Sequence, residues 1–302
     1  LVITDEQHRF GVAQRGKLSA KGNNPHTLVM SATPIPRTLG LIIYGDLDIS
    51  IIDEYPRGRQ QIDTFCVNSS YRQRVYNYIK GFLNEGRQGY IVCPLVEENE
   101  ALDITSAEEY YEKLKNGEFK GYSIGLLHGK MKPKEKDAVM RAFKDGEIQL
   151  LVATTVIEVG IDVPNAVVMV IENAERFGLS QLHQLRGRIG RGQYKSTCIL
   201  ITDAKNDTAQ RRMKVMETTT DGFKIADEDL KLRGPGEFFG SRQHGLPEMH
   251  VKDLLGSMDM LHEAQSAAEA LCRKNPALAG EELAPLRNRI AELFTANEGT
   301  WN

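Results

Sequence analysis

Short apolar strands alternate with amphipathic helices from the first residue to about position 203, which predicts a doubly wound α/β fold. Two further observations point the same way. The strand-like runs are continuously apolar, as in a parallel sheet covered on both faces, and short polar links separate the elements. From about Asn206 the strand signal stops, and a mainly helical carboxyl-terminal region is expected.

The elements follow in order. Leu1-Val2-Ile3-Thr4 reads as a buried strand from the first residue, so the chain is expected to begin inside a domain; Thr27 to Ser31 is a second strand. Val75, Tyr78, Ile79 and Phe82 recur at helical spacing over Tyr71 to Glu85, and Gly86 ends that helix. Tyr90 to Val96 is a strand, and Ser106-Ala107-Glu108-Glu109 reads as a capping box that opens a short helix ending at Gly117. A strand over Tyr122 to Leu127 precedes a helix over Pro133 to Phe143, with proline in its first turn. Strands follow at Gln149 to Ala153, Ala166 to Ile171 and Thr197 to Thr202, and a helix from Ser180 to about Ile189 separates the last two. Beyond Asn206 a Gly/Pro-rich passage (Gly234-Pro235-Gly236, Gly240, Gly245, Pro247) interrupts the helical pattern, which resumes over Val251 to Phe294.

The 302 residues suffice for two domains, and 41% apolar with 26% charged residues is the balance of a globular chain. A formal net charge of −3 excludes a globally basic nucleic-acid binder but leaves room for a local basic groove. The four cysteines, Cys66, Cys93, Cys198 and Cys272, form no CxxC pair, which suits a reducing compartment and neither a disulfide framework nor a zinc site. No apolar run spans a bilayer, so no membrane partner is expected.

Chemistry gathers at strand ends. Asp5-Glu6-Gln7-His8 follows the first strand, where α/β sheets present ligand groups; paired carboxylates there suit magnesium binding and activation of a water, although an acidic loop would look the same. Ser31-Ala32-Thr33-Pro34 follows the second strand and places hydroxyls beside that box, or simply makes a turn. Thr154-Thr155-Val156-Ile157-Glu158-Val159-Gly160-Ile161-Asp162 follows another strand, where a helix cap would also explain the threonines. In Gln184-Leu185-Arg186-Gly187-Arg188-Ile189-Gly190-Arg191-Gly192, arginines crowd among glycines. That makes a poor core and a good clamp for phosphate, with Arg188 and Arg191 expected on one helical face.

The order of these segments resembles the motif series of superfamily 2 helicases, from the second motif to the sixth, over about residues 1 to 203. Asp221-Gly222-Phe223-Lys224-Ile225-Ala226, Arg233-Gly234-Pro235-Gly236-Glu237-Phe238-Phe239-Gly240 and Arg242-Gln243-His244-Gly245 are similar to the translocation motif shared by the RecG and Mfd families, with wording closer to RecG. The resemblance implies RecA-like architecture. Residues 1–58 would be the carboxyl-terminal part of a first motor domain, 59–205 a complete second one, and 206–302 a helical hairpin translocation motif with a helical tail.

Carried over by position, it implies Asp5 as the magnesium-side carboxylate and Glu6 as general base. Gln7 and His8 would report nucleotide state to Ser31 and Thr33; Gly160, Asp162 and Gln184 would face the nucleotide, and Arg188 and Arg191 would act as arginine fingers. Thr154 and Thr155 would touch DNA phosphates, and Arg233, Arg242 and Gln243 would couple cleft closure to movement. The implied cofactors are ATP and Mg2+; the implied partners are branched double-stranded DNA and single-stranded DNA-binding protein, for a monomer at the bacterial nucleoid in the cytoplasm. The sequence contains no GxxxxGK[ST] phosphate loop, and its nearest string, Gly125 to Met131, lacks the spacing and the hydroxyl. The 302 residues alone are therefore expected to be inactive as an ATPase. An Mfd-like polymerase-displacing translocase and, for the isolated chain, a non-catalytic DNA-binding module are the alternatives.

Overall fold

The computed structural model describes residues 1–5, 25–31, 50–52, 54, 60–94, 100–154, 162–233 and 258–295. Two parallel strands, β1 (Val2–Asp5) and β2 (Thr27–Met30), form one small sheet in which Asp5 lies opposite Met30. The second sheet is six-stranded and wholly parallel, in the order β3 (Ile62–Val67), β8 (Ser196–Ile201), β7 (Ala166–Ile171), β4 (Gln88–Val92), β6 (Leu150–Ala153), β5 (Ile124–Leu127). This is the doubly wound arrangement expected from the alternating pattern.

Helices α1 (Arg72–Asn84), α2 (Glu100–Asn116), α3 (Pro133–Lys144) and α4 (Leu179–Arg186) link the strands. Val75, Tyr76, Ile79 and Leu83 recur along α1 and enter a core with Leu114 of α2 and Ile91, Val152, Val168, Val170 and Ile199 of the sheet. Each such aliphatic side chain contributes about 1.5–3 kcal/mol by leaving water. On the opposite face Tyr90 meets Phe143 of α3 at 4.9 Å between ring centres. Gly86, at φ +74°, ends α1 in a backbone conformation that suits glycine.

After β8 come α5 (Asp207–Thr218), capped by the Asn206 side chain on the Ala209 N–H, and α6 (Gly222–Arg233). Ala209, Met213 and Met216 of α5 are buried, and α5 packs on β3 and α4. Helices α7 (Met258–Lys274) and α8 (Ala284–Thr295) complete the described chain, so the described part of the carboxyl-terminal region is mainly helical, as expected. The described residues fall into two compact units: one holds both sheets and the chain down to Asp229, the other holds α7 and α8. No described helix is long and apolar enough to cross a membrane.

Four expectations need correction. Strand β3 has no periodic signal; Ile-Asp-Thr-Phe-Cys-Val mixes polar and apolar residues because it is an edge strand in which Ile62 alone is buried. Helix α2 begins at Glu100, so Ser106 to Glu109 lies inside the helix and is not its cap. Helix α4 stops at Arg186, where Gly187 takes the C-cap; Arg188 and Arg191 therefore lie in a turn and share no helical face. The opening strand forms but is not a buried one, since Leu1 and Ile3 are exposed.

Candidate functional site

Two strand ends and one turn carry the predicted chemistry. Because β1 and β2 are parallel and in register, Asp5 at the end of β1 and Ser31 just past β2 emerge on the same edge, both exposed. Glu6, Gln7, His8 and Thr33 lie outside the described residues, as do Thr155, Gly160, Arg242 and Gln243. Arg233 is the last residue of α6.

The turn at 187–192 is built by close approach. A Cβ on Gly190, at φ +71°, would come within 2.8 Å of Ile62, and one on Gly192 within 2.4 Å of the Pro164 carbonyl oxygen. Glycine is therefore required at both positions. Ile62 opens β3 and Pro164 precedes β7, so the turn lies at the amino-terminal edge of the six-stranded sheet. There Arg191 donates through Nε to the Gly187 carbonyl at 3.0 Å and through Nη1 to Asp162 Oδ1 at 3.4 Å. Two residues singled out 29 positions apart in sequence are thus neighbours. Burial raises the Tyr90 phenol above its ordinary range, while the positive charges of Arg188 and Arg191 pull it back and Asp162 adds to the rise. Gln184, on α4, is partly exposed.

Arg186 behaves otherwise. Only 2% exposed, it donates to the Met216 carbonyl at 2.8 Å and Thr64 Oγ1 at 3.3 Å, with His183 Nδ1 at 3.3 Å. It belongs to the core, against the expectation that arginines here would make a poor one; a buried guanidinium is tolerated because these acceptors satisfy it. No periodicity signal marks such a residue.

The opposite, carboxyl-terminal edge carries Thr154 after β6 and Glu172 after β7. Thr154 is buried; its N–H donates to the Leu127 carbonyl, and its hydroxyl has no partner among the described residues. Buried Glu172 accepts from Arg72 through Nε at 3.3 Å and Nη2 at 2.8 Å, and from the Tyr110 hydroxyl at 2.7 Å, which in turn contacts the Tyr76 hydroxyl at 2.7 Å. Sequence reading missed this group, since its four members are scattered over a hundred positions. The one available signal was a carboxylate directly after a wholly apolar strand.

Toward a nucleoside triphosphate and magnesium, the described residues offer a strand-end carboxylate, a neighbouring hydroxyl and a guanidinium turn. Such a donor set fits phosphate charge and a largely hydrated magnesium ion. No group of three or more His, Cys, Asp or Glu side chains that could hold a metal ion occurs among the described residues.

Residues 71–193 match the family described as helicase conserved C-terminal domain, and residues 219–301 match ATP-dependent DNA helicase RecG, domain 3, C-terminal. A Synechocystis protein named ATP-dependent DNA helicase RecG is 54% identical over 92% of this chain and 34% of its own length. The Bacillus subtilis protein of the same name is 49% identical over 96% of this chain and 42% of its own. A solved structure of RecG bound to a three-way DNA junction superposes with a TM-score of 0.66 at 48% identity, covering 86% of this chain and 33% of that one. The chain thus spans roughly a third to two fifths of the length of these relatives. With two successive family matches and about half of its residues identical across nine tenths of its length, the chain belongs to the RecG family.

Proposed function

We propose that this chain is the carboxyl-terminal motor portion of an ATP-dependent double-stranded DNA helicase that remodels branched DNA, such as stalled forks and Holliday junctions, in recombination and repair. The observation that carries the reading is the ordered motif series within a sequence about half identical to proteins named RecG. The match of residues 219–301 to a RecG domain favours this reading over an Mfd-like translocase.

The division at 58 and 205 into two motor domains and a hairpin-bearing tail belongs to this proposal. When bound, magnesium-ATP supplies the phosphoryl group that is transferred to water. Asp5 holds the magnesium side, and Glu6 accepts the proton of the attacking water at its carboxylate. Arg188 and Arg191 present guanidinium N–H groups to the developing phosphate charge; the contacts with Gly187 and Asp162 orient the Arg191 guanidinium. Gly160, Asp162, Gln184 and His8 line the nucleotide, and Gln7 with Ser31 and Thr33 relays its state. Thr155 contacts DNA phosphates, and Thr154 joins it once its hydroxyl is uncovered. Arg233, Arg242 and Gln243 pass closure on to the DNA. Single-stranded DNA-binding protein is a further partner, and the protein acts as a monomer at the nucleoid in the cytoplasm.

The test is ATP hydrolysis and unwinding of a labelled three-way junction by the full-length protein. Glu6→Gln should bind ATP, yet hydrolyse it about 10²–10⁴-fold more slowly and unwind nothing. Turnover within a few-fold of wild type would remove Glu6 as the base.

A further inference from the structure

The buried group around Glu172 has no part in the reading above. Along β7, Val168 and Val170 enter the core under α1 and α2, so Glu172, two residues on, faces the same side at the sheet's carboxyl-terminal edge. Its N–H still pairs with the Val92 carbonyl, which fixes the backbone there. A buried carboxylate is costly unless fully engaged. Glu172 is engaged by three donors, two from Arg72 and one from Tyr110. Burial, with Glu172 beside it, raises the Tyr110 phenol far above its ordinary range, so Tyr110 remains a protonated donor.

Seen from Arg72, the same bonds form a brace. The guanidinium has five N–H groups, and Glu172 takes two of them. The remaining donors meet no acceptor among the described residues, and the side chain is 37% exposed. The arginine is thus locked in one orientation with part of its fork turned outward, a pre-organised donor for a phosphate oxygen. Lys130 and Lys132 after β5 and Lys205 after β8 are exposed on the same edge; the described carboxylates there include Asp203, which accepts the Ser69 N–H at 2.9 Å, Glu108, 3.5 Å from His128, and Glu135, which accepts the Lys132 N–H. In open α/β sheets ligands bind outside the carboxyl ends of the strands. The turn assigned to nucleotide lies at the opposite edge, which leaves this edge to the second ligand.

We propose that Arg72 is a DNA-phosphate-contacting residue at the carboxyl-terminal edge of the six-stranded sheet, and that Glu172, Tyr110 and Tyr76 are positioning residues that hold its guanidinium. The proposal rests on the branched-DNA reading above.

The experiment is a salt titration of the full-length protein binding a fluorescein-labelled three-way junction, over about 50–200 mM salt. Arg72→Ala should weaken binding to all junction sequences alike and make the log K against log salt slope shallower by about 0.9, the loss of one phosphate contact. Arg72→Lys should keep the wild-type slope while binding more weakly, since it retains charge without the braced fork. Because Arg72→Ala strands a buried carboxylate, the double variant Arg72→Met with Glu172→Gln is the control for folding, and it should show the same shallower slope. If both variants keep the wild-type slope, with or without a lower melting temperature, Arg72 serves only to tie α1 to the sheet and the assignment falls. If the wild-type protein does not bind the junction at any salt, it is the branched-DNA reading that fails first.

Discussion

In the two-stranded sheet Ile3, Leu28 and Met30 are 57%, 48% and 40% exposed, whereas Ile91, Val152 and Ile171 of the six-stranded sheet are wholly buried. The sequences of the two are alike: short, apolar, each followed by a polar strand end. The difference lies in what surrounds them. Strands of the larger sheet have hydrogen-bonded neighbours and helices packed over them, while β1 and β2 pair in a sheet of two strands. An apolar run therefore specifies that a strand forms, and its cover comes from elements elsewhere in the chain. The same contrast divides the proposed chemistry. Asp5 and Ser31 stand on the sparse sheet, and Arg188 and Arg191 stand on a turn wedged against the well-packed one.

The largest expected effect tests the turn. In the full-length protein, Arg191→Ala should reduce DNA-stimulated ATP hydrolysis by about 10³–10⁵-fold, the range for finger arginines. Arg191→Lys should recover little, because an ammonium cannot reproduce the bonds to both Gly187 and Asp162. Steady-state hydrolysis decides it. Near-normal turnover in the lysine variant would make this turn a solvated surface and leave the chemistry to the β1–β2 side alone.

Most strands and helices could be read from periodicity, and the reason shows in the failures. β7 is legible to the residue because its six consecutive apolar residues are all buried. β3 is not legible, because an edge strand is only partly covered and tolerates Asp63 and Thr64. The arginine turn could be read as a phosphate clamp from composition, but not its helix boundary, since Gly187 ends α4 earlier than the apolar spacing through Ile189 suggested. Arg186 and Glu172 were illegible for a different reason. Their burial depends on Met216 and Thr64 in one case, and on Arg72 and Tyr110 in the other, partners that only the folded chain brings near.

A middle-sized effect sharpens the comparison of the sheets directly. Phe143→Ala removes a wholly buried ring that packs on Tyr90 and should cost about 3–5 kcal/mol in urea unfolding of the 302-residue chain followed by circular dichroism. Ile3→Ala in the same chain should shift stability by about 0.5 kcal/mol or less, as for other exposed positions. In a protein of the relatives' full length, the proposed first motor domain would cover Ile3, and the same substitution should then cost about 2–5 kcal/mol. Equal costs for Ile3→Ala in the two lengths would mean that β1 is as open in the whole protein as here, and would count against the proposed domain division.

The smallest effect concerns acid. At the carboxyl-terminal edge of the larger sheet, Asp203 accepts the backbone N–H of Ser69, in the turn that leads into α1, and this bond holds its carboxyl below the usual carboxylate range. A carboxylate at the start of a helix is also favoured by the helix dipole. A depressed folded-state pKa stabilises the fold at pH values above the unfolded-state pKa, and that contribution is lost as pH falls through the folded value. The loss should therefore appear only below about pH 4, where an unperturbed aspartate titrates. Asp203 is fully exposed, so solvent screens it and the effect is modest. Asp203→Asn keeps an acceptor for Ser69 but cannot titrate. Its urea midpoint should match wild type near pH 6 less closely than near pH 3, because only wild type loses the charged bond between the two. Adding salt should shrink the gap at pH 6. If the two proteins lose stability in parallel from pH 6 to pH 3, Asp203 does not contribute to the acid sensitivity of the larger sheet, and the second carboxylate beside α1, Glu118 on Gln73 and Lys80, becomes the group to vary.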